Sequence, residues 1–117
     1  MLFRSFDRSG PLGPALVTRD EVPDPQALTL TVDVSGERMQ DAHTGTMIFS
    51  VAYLIAYASQ ALTLEPGDLI ATGTPSGVEF ARKPPRWLRD GDTVRVSITR
   101  LGVLETPILP DRRKGAR

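Results

Sequence analysis

Residues 28–34 alternate apolar and polar side chains without a break, Leu28, Leu30, Val32 and Val34 against Thr29, Thr31 and Asp33. Successive side chains of a strand point to opposite faces, so this stretch predicts a β-strand with one buried and one wet face. Such a strand needs partners and a cover, and the rest of the chain supplies candidates for both. Ser35-Gly36 predicts a tight turn that returns into a polar strand over Glu37 to Asp41. Val94, Val96 and Ile98 alternate with Arg95, Ser97 and Thr99 after the turn Asp90-Gly91-Asp92, and Leu101-Gly102 predicts a reversal into a last strand over Val103 to Leu109. For a cover, Ile48, Val51, Ala52, Ile55, Ala58 and Leu62 recur at helical steps, which predicts an amphipathic helix from Met47 to Ala61 with Thr46 as its N-cap. Leu64 and Pro66-Gly67 end that helix, and Asp68 to Gly73 reads as a further short strand. Pro11, Pro14, Pro23 and Pro25 keep residues 9–27 mostly irregular, with Ala15 to Thr18 as a short strand at most, and the prolines of KPP force an extended connection near residue 84. The expected class is α/β mixed, predominantly β.

With 117 residues the chain is one domain or part of one, long enough to bury roughly two-thirds of the surface its unfolded form exposes. A composition 40% hydrophobic and 24% charged is that of a soluble globular protein. Basic and acidic residues balance at 14 each, but residues 82–117 carry ten basic and four acidic side chains. That excess lacks the interleaved aromatics of a nucleic-acid surface, since Trp87 is the only aromatic residue within it, so a solvated basic face is expected and no nucleic-acid partner. The closing DRRKGAR predicts a flexible basic tail over 110–117. The absence of cysteine excludes disulfides and thiolate metal sites and fits a cytoplasmic protein. No apolar core of a signal peptide follows Met1, and the mostly apolar stretch Met47 to Leu64 is too polar, through Ser50, Ser59, Gln60 and two tyrosines, to predict a membrane span. Phe3 and Phe6 stand in a segment with no preceding element to pack against, as expected of a piece of a longer chain.

Chemistry is sought first in Glu65 to Val78, EPGDLIATGTPSGV, where an apolar run breaks into a loop of three hydroxyl residues, Thr72, Thr74 and Ser76, punctuated by Gly73, Pro75 and Gly77. A strand ending in such a loop can present hydroxyls and backbone N–H groups to an anion, because glycine lets the main chain come close. No lysine follows the second glycine, so the pattern is not a phosphate-binding P-loop, and a plain surface turn has the same composition. His43 is the only histidine, with Asp41 as its only local partner, and reads as a loop residue. Asp90 and Asp92 lack the other ligands of a calcium loop and read as turn residues. No nucleophile-elbow pattern surrounds the serines.

Taken together, RSFDRSGPLGP, EVPDPQALTLTVDVSGERMQ, HTGTMIFSVAYLIAYASQALTLEPGDLIATGTPSGV and KPPRWLRDGDTVRVSITRLGVLETPI resemble the fumarylacetoacetate hydrolase family over nearly the whole chain, Arg4 to Ile108. The resemblance implies a mixed, largely β roll with one covering helix, with residues 1–117 as the C-terminal portion of a single catalytic domain, usually in a homodimer. It implies an enzyme that uses Mg2+ or Mn2+ on 2-keto or 2-enol acids, with the ion stabilising the enolate shared by the family's isomerases, carbon–carbon hydrolases and oxaloacetate decarboxylases. The segments around SFD, GPLGP and KPPRWL are most similar to members that isomerise 2-hydroxyhepta-2,4-diene-1,7-dioate in aromatic-acid catabolism. Thr74 matches the threonine that holds the substrate carboxylate, and Gly73 lets the backbone approach it. Arg4 stands where the family usually has a pocket lysine, an exchange that keeps the charge and changes the shape, and it would balance enolate charge. Gln40 and Thr44 match family positions and are assigned to structure. The family's carboxylate metal ligands and its water-activating His-Glu pair precede the lysine position, so ligands are expected upstream of this chain. Two other roles stay in view: a non-catalytic module that pairs through exposed strand edges, and nucleic-acid binding by the basic third.

Overall fold

The computed structural model describes residues 10–78 and 81–110. Its centre is a four-stranded antiparallel sheet in the order β2-β1-β3-β4. The strands are β1 (Thr29–Val34), β2 (Glu37–His43), β3 (Thr93–Ile98) and β4 (Gly102–Pro107). The alternating stretch around Val32 is an inner strand with neighbours on both sides. Ser35, with φ 49°, and Gly36, with φ 87°, form the two-residue turn between β1 and β2, the left-handed pair whose twist suits a hairpin.

Register explains how the sheet sorts its side chains. Val32 lies opposite Gln40 on one side and Val96 on the other, and Val96 lies opposite Leu104. Paired residues share a face, so Leu30, Val32, Val34, Val94, Val96 and Ile98 form one apolar surface. A bulge interrupts the β1–β2 ladder after Val32, where Asp33 pairs with Arg38 and Met39 is the extra residue. Three consequences follow from it. Met39 is buried, the Arg38 guanidinium donates to Asp33 at 2.6 Å on the polar face, and Gln40 is a polar residue on the apolar one.

Only Leu28, Val34 and Met39 are buried among the described residues. Leu28 is fixed by Thr44, whose N–H donates to the Leu28 carbonyl at 2.8 Å and whose hydroxyl accepts from the Leu28 N–H at 2.9 Å. Thr44 therefore has the structural role expected of it.

The helix, α1 (Val51–Ser59), is shorter than the periodicity predicts. Its N-cap is Ser50, whose hydroxyl accepts from the Tyr53 N–H at 3.1 Å, rather than Thr46. Thr46 belongs instead to a single 3-10 turn, Thr44–Thr46, and donates its hydroxyl to the His43 carbonyl. Gln26 joins helix to sheet: its amide nitrogen donates to the Thr44 carbonyl and its amide oxygen accepts from the Val51 N–H, both at 2.8 Å. The helix is only lightly packed, with Val51, Leu54 and Ala58 half-buried. No residue of α1 is buried, and Phe49, Tyr53 and Tyr57 stack as an exposed ladder with ring centres 4.9 and 6.3 Å apart.

The expected strands at Ala15 to Thr18 and Asp68 to Gly73 are absent, and both stretches are irregular. A strand requires a neighbour to receive its main-chain hydrogen bonds, and Asp68 to Gly73 has none among the described residues. Leu69 is 74% exposed there. No helix of the described residues is long and apolar enough to cross a membrane.

Candidate functional site

The hydroxyl-rich loop lies against β2. Gly77, with φ 101°, passes so close to this strand that a Cβ there would collide with the Met39 carbonyl oxygen. Glycine is required at that point for space as well as for conformation. At Gly73, with φ 106°, a Cβ would meet no atom within 4 Å, so the requirement there is conformational alone.

Between the two glycines the loop is held by one side chain. The Gln40 amide nitrogen donates to the Pro75 carbonyl at 2.9 Å, the Thr74 hydroxyl at 3.1 Å and the Ser76 carbonyl at 3.3 Å. These bonds join residues 34 to 36 positions apart in the chain. The register of β2 delivers Gln40 to the loop because the bulge at Met39 turns it onto the apolar face. Sequence reasoning assigns Gln40 to structure without its partners. The available signal is a glutamine in a predicted strand, unusable until the register of that strand is known.

Thr74 itself is exposed. Among the described residues its hydroxyl accepts from Gln40 and has no acceptor of its own. Arg4, the expected third member of the site, lies outside the described residues.

His43 ends β2 rather than lying in a loop. Its Nδ1 accepts from the Gly45 N–H at 3.0 Å, which caps the 3-10 turn. Asp41, the only local candidate for a partner, is paired with Arg38 at 3.0 Å. Among the described residues no three His, Asp or Glu side chains come together as metal ligands. The described residues therefore do not fit the Mg2+ or Mn2+ site that the resemblance implies.

Of the six basic side chains of the basic third that lie among the described residues, four are engaged internally. Arg82 and Arg86 reach Glu37 at 3.2 and 3.3 Å, Arg95 pairs with Glu105 at 3.1 Å, and Arg100 donates to the Glu21 carbonyl at 2.9 Å. Asp92 does more than form a turn. It accepts both arms of the Arg86 fork at 3.2 Å, the Ser35 hydroxyl at 2.6 Å and the Arg89 N–H at 2.8 Å. Those donors, the Arg86 guanidinium foremost, hold its carboxyl well below the usual carboxylate range. A groove of about 520 Å³ opens beside this cluster, between Arg82, Lys83, Arg89 and Glu37.

Similar folds occur among solved structures. A fumarylacetoacetate hydrolase from Exiguobacterium antarcticum superposes with a TM-score of 0.83 at 40% identity, covering 86% of this chain and 36% of that one. Maleylpyruvate hydrolase from Sphingobium sp. SYK-6, solved with manganese(II) and pyruvate, gives a TM-score of 0.75 at 36% identity, over 83% of this chain and 34% of that one. A 2-hydroxyhepta-2,4-diene-1,7-dioate isomerase from Mycobacterium marinum gives 0.65 at 40% identity, over 74% and 31%. A hydrolase of Burkholderia ambifaria, described no further than that, is 56% identical over 100 residues, and the chain spans 36% of its length. The family model for the fumarylacetoacetate (FAA) hydrolase C-terminal domain matches residues 1–109. With that match running through the sheet, the helix and the hydroxyl-rich loop alike, the chain belongs to the fumarylacetoacetate hydrolase family.

Proposed function

We propose that this chain supplies the carboxylate-binding loop of an enzyme acting on 2-keto or 2-enol acids, with Thr74 and the Gly73 backbone as the anion's hydrogen-bond donors. The observation that carries this reading is the Thr74 hydroxyl, exposed on a glycine-punctuated loop that Gln40 holds from behind. Donors fixed in advance lose little freedom when an anion arrives, so each is worth more than a mobile one. Similarity to a maleylpyruvate hydrolase solved with pyruvate, itself a 2-keto acid, supports the substrate class.

Within that class, the reading carried over from the resemblance is isomerisation of 2-hydroxyhepta-2,4-diene-1,7-dioate, supported by 40% identity to an enzyme of that name. Carbon–carbon bond hydrolysis is the second reading, favoured by the fuller superposition of the maleylpyruvate hydrolase. Both require a divalent ion with ligands outside the described residues, and the resemblance gives both a homodimer and Arg4 as the charge that balances the enolate. An NMR titration of the labelled protein with oxalate, a mimic of the shared enolate, tests the loop. The largest shifts are expected at the Gly73 and Thr74 amides. Thr74→Val should weaken binding roughly tenfold to a hundredfold, since a hydrogen bond to a charged group contributes about 1.5–3 kcal/mol. Shifts that avoid residues 72–77 would remove the loop from the site.

A further inference from the structure

We infer that Gln40 is a positioning residue that sets the polarity of the Thr74 hydroxyl, presenting it to the ligand as a donor and thereby selecting a carboxylate. The inference rests on the reading of Thr74 as the carboxylate's partner and identifies what gives Thr74 that role. It begins from which end of the Gln40 amide faces the loop. Oxygen and nitrogen of a side-chain amide are told apart by their partners. Here the terminal atom lies 2.9 Å from the Pro75 carbonyl and 3.3 Å from the Ser76 carbonyl, two groups that only accept. That atom is therefore the NH2.

The rest follows by counting protons. The same NH2 lies 3.1 Å from the Thr74 hydroxyl oxygen, and its two protons serve three acceptors, so one of them is shared with the more distant Ser76 carbonyl; an amide nitrogen has no lone pair to accept with, so Thr74 is the acceptor of its bond. The hydroxyl's own proton must then point away from Gln40. Thr74 is exposed and its hydroxyl has no other acceptor among the described residues, so the proton is directed to the open side. A hydroxyl that already accepts is also a better donor, because the bonds polarise each other. The backbone makes the device rigid: Gly77 lies against the Met39 carbonyl, one residue from Gln40, so loop and strand cannot slide apart without breaking both contacts.

The test combines Gln40→Met, which keeps length and removes both donors, with Thr74→Val and the double variant. Oxalate affinity is read by NMR, and the Thr74 χ1 couplings are read without ligand. Each single variant should lose roughly tenfold to a hundredfold in affinity and the double no more than either, because the two residues act through one bond. Gln40→Met should also average the Thr74 rotamer while the amides of β1 and β3 stay in place, which a general loss of structure would not do. Gln40→Glu is the second variant, for use if the first does not fold. Its carboxylate would draw the Thr74 proton inward, and oxalate binding should fall below that of Thr74→Val. In the unaltered protein, the Gln40 side-chain amide protons should exchange more slowly than those of Gln60 at the exposed helix end. Affinity losses that add, an unchanged Thr74 rotamer or fast exchange at Gln40 would overturn the inference while leaving Thr74 in the site. No oxalate response at Thr74 in the unaltered protein would overturn the underlying reading, and this inference with it.

Discussion

Asp92 shows how much one side chain in a turn can hold. Its carboxylate is 12% exposed and gathers Arg86, Ser35 and the Arg89 N–H, so it ties the β1–β2 turn to the segment that leads into β3. Folding lowers its pKa below the ordinary carboxylate value that it keeps in the unfolded chain. A group shifted in that direction stabilises the fold above its unfolded pKa and loses the contribution as pH falls toward the folded one. Asp92→Asn, which keeps the shape and removes the charge, should therefore lower the melting temperature at pH 7. The difference from the unaltered protein should shrink as both are acidified, as circular dichroism melts across the acid range would show. A difference that grew toward low pH would contradict the assignment. Sequence alone reads Asp92 as a turn residue, correct as to place. Its four donors come from two stretches of chain, residues 86–89 and the distant Ser35, and no local pattern announces the second. Gln40 is hard to value from sequence for the same reason: its importance lies in a loop 34 residues away.

At the scale of elements, legibility tracks how local the cause is. The hairpin turn, the alternation of β1 and β3 and the reversal before β4 are each written within a few residues, and all are present. The strand expected after Asp68 depends on a neighbour to pair with, which periodicity cannot supply. The helix start differs from expectation because Thr46 and Ser50 are both good caps, and the choice falls to Gln26, a residue 25 positions from the N–H it receives. Ser50→Ala should cost the helix about 1 kcal/mol, the usual worth of a hydroxyl cap, visible as faster amide exchange from Tyr53 onward. Gln26→Ala should free the same end and also loosen the 3-10 turn at Thr44. If the two variants left exchange in α1 unchanged, the anchoring described for the helix would be wrong.

At the scale of the whole chain, the notable quantity is how little of the described part is buried. Three residues form the described core, while one sheet face is half-covered and the aromatic ladder of α1 faces outward. Surfaces of this kind associate when they can. Light scattering on the purified chain should report species larger than a monomer at micromolar concentration, and Tyr53→Ser with Tyr57→Ser should reduce them; a monodisperse monomer would mean that α1 is not the associating surface. The bulge at Met39 has a different consequence, for how the family can vary in length. Five residues separate Val34 from Gln40, and that distance decides which face Gln40 occupies. Hairpin turns ordinarily tolerate an inserted residue, but one inserted after Gly36 would slip β2 by a position and swing Gln40 to the polar face. Such a protein could keep its sheet and lose its grip on Thr74. The Ser35-Gly36 turn thus acts as a ruler for a loop it never touches, because its length sets the face on which Gln40 meets Thr74.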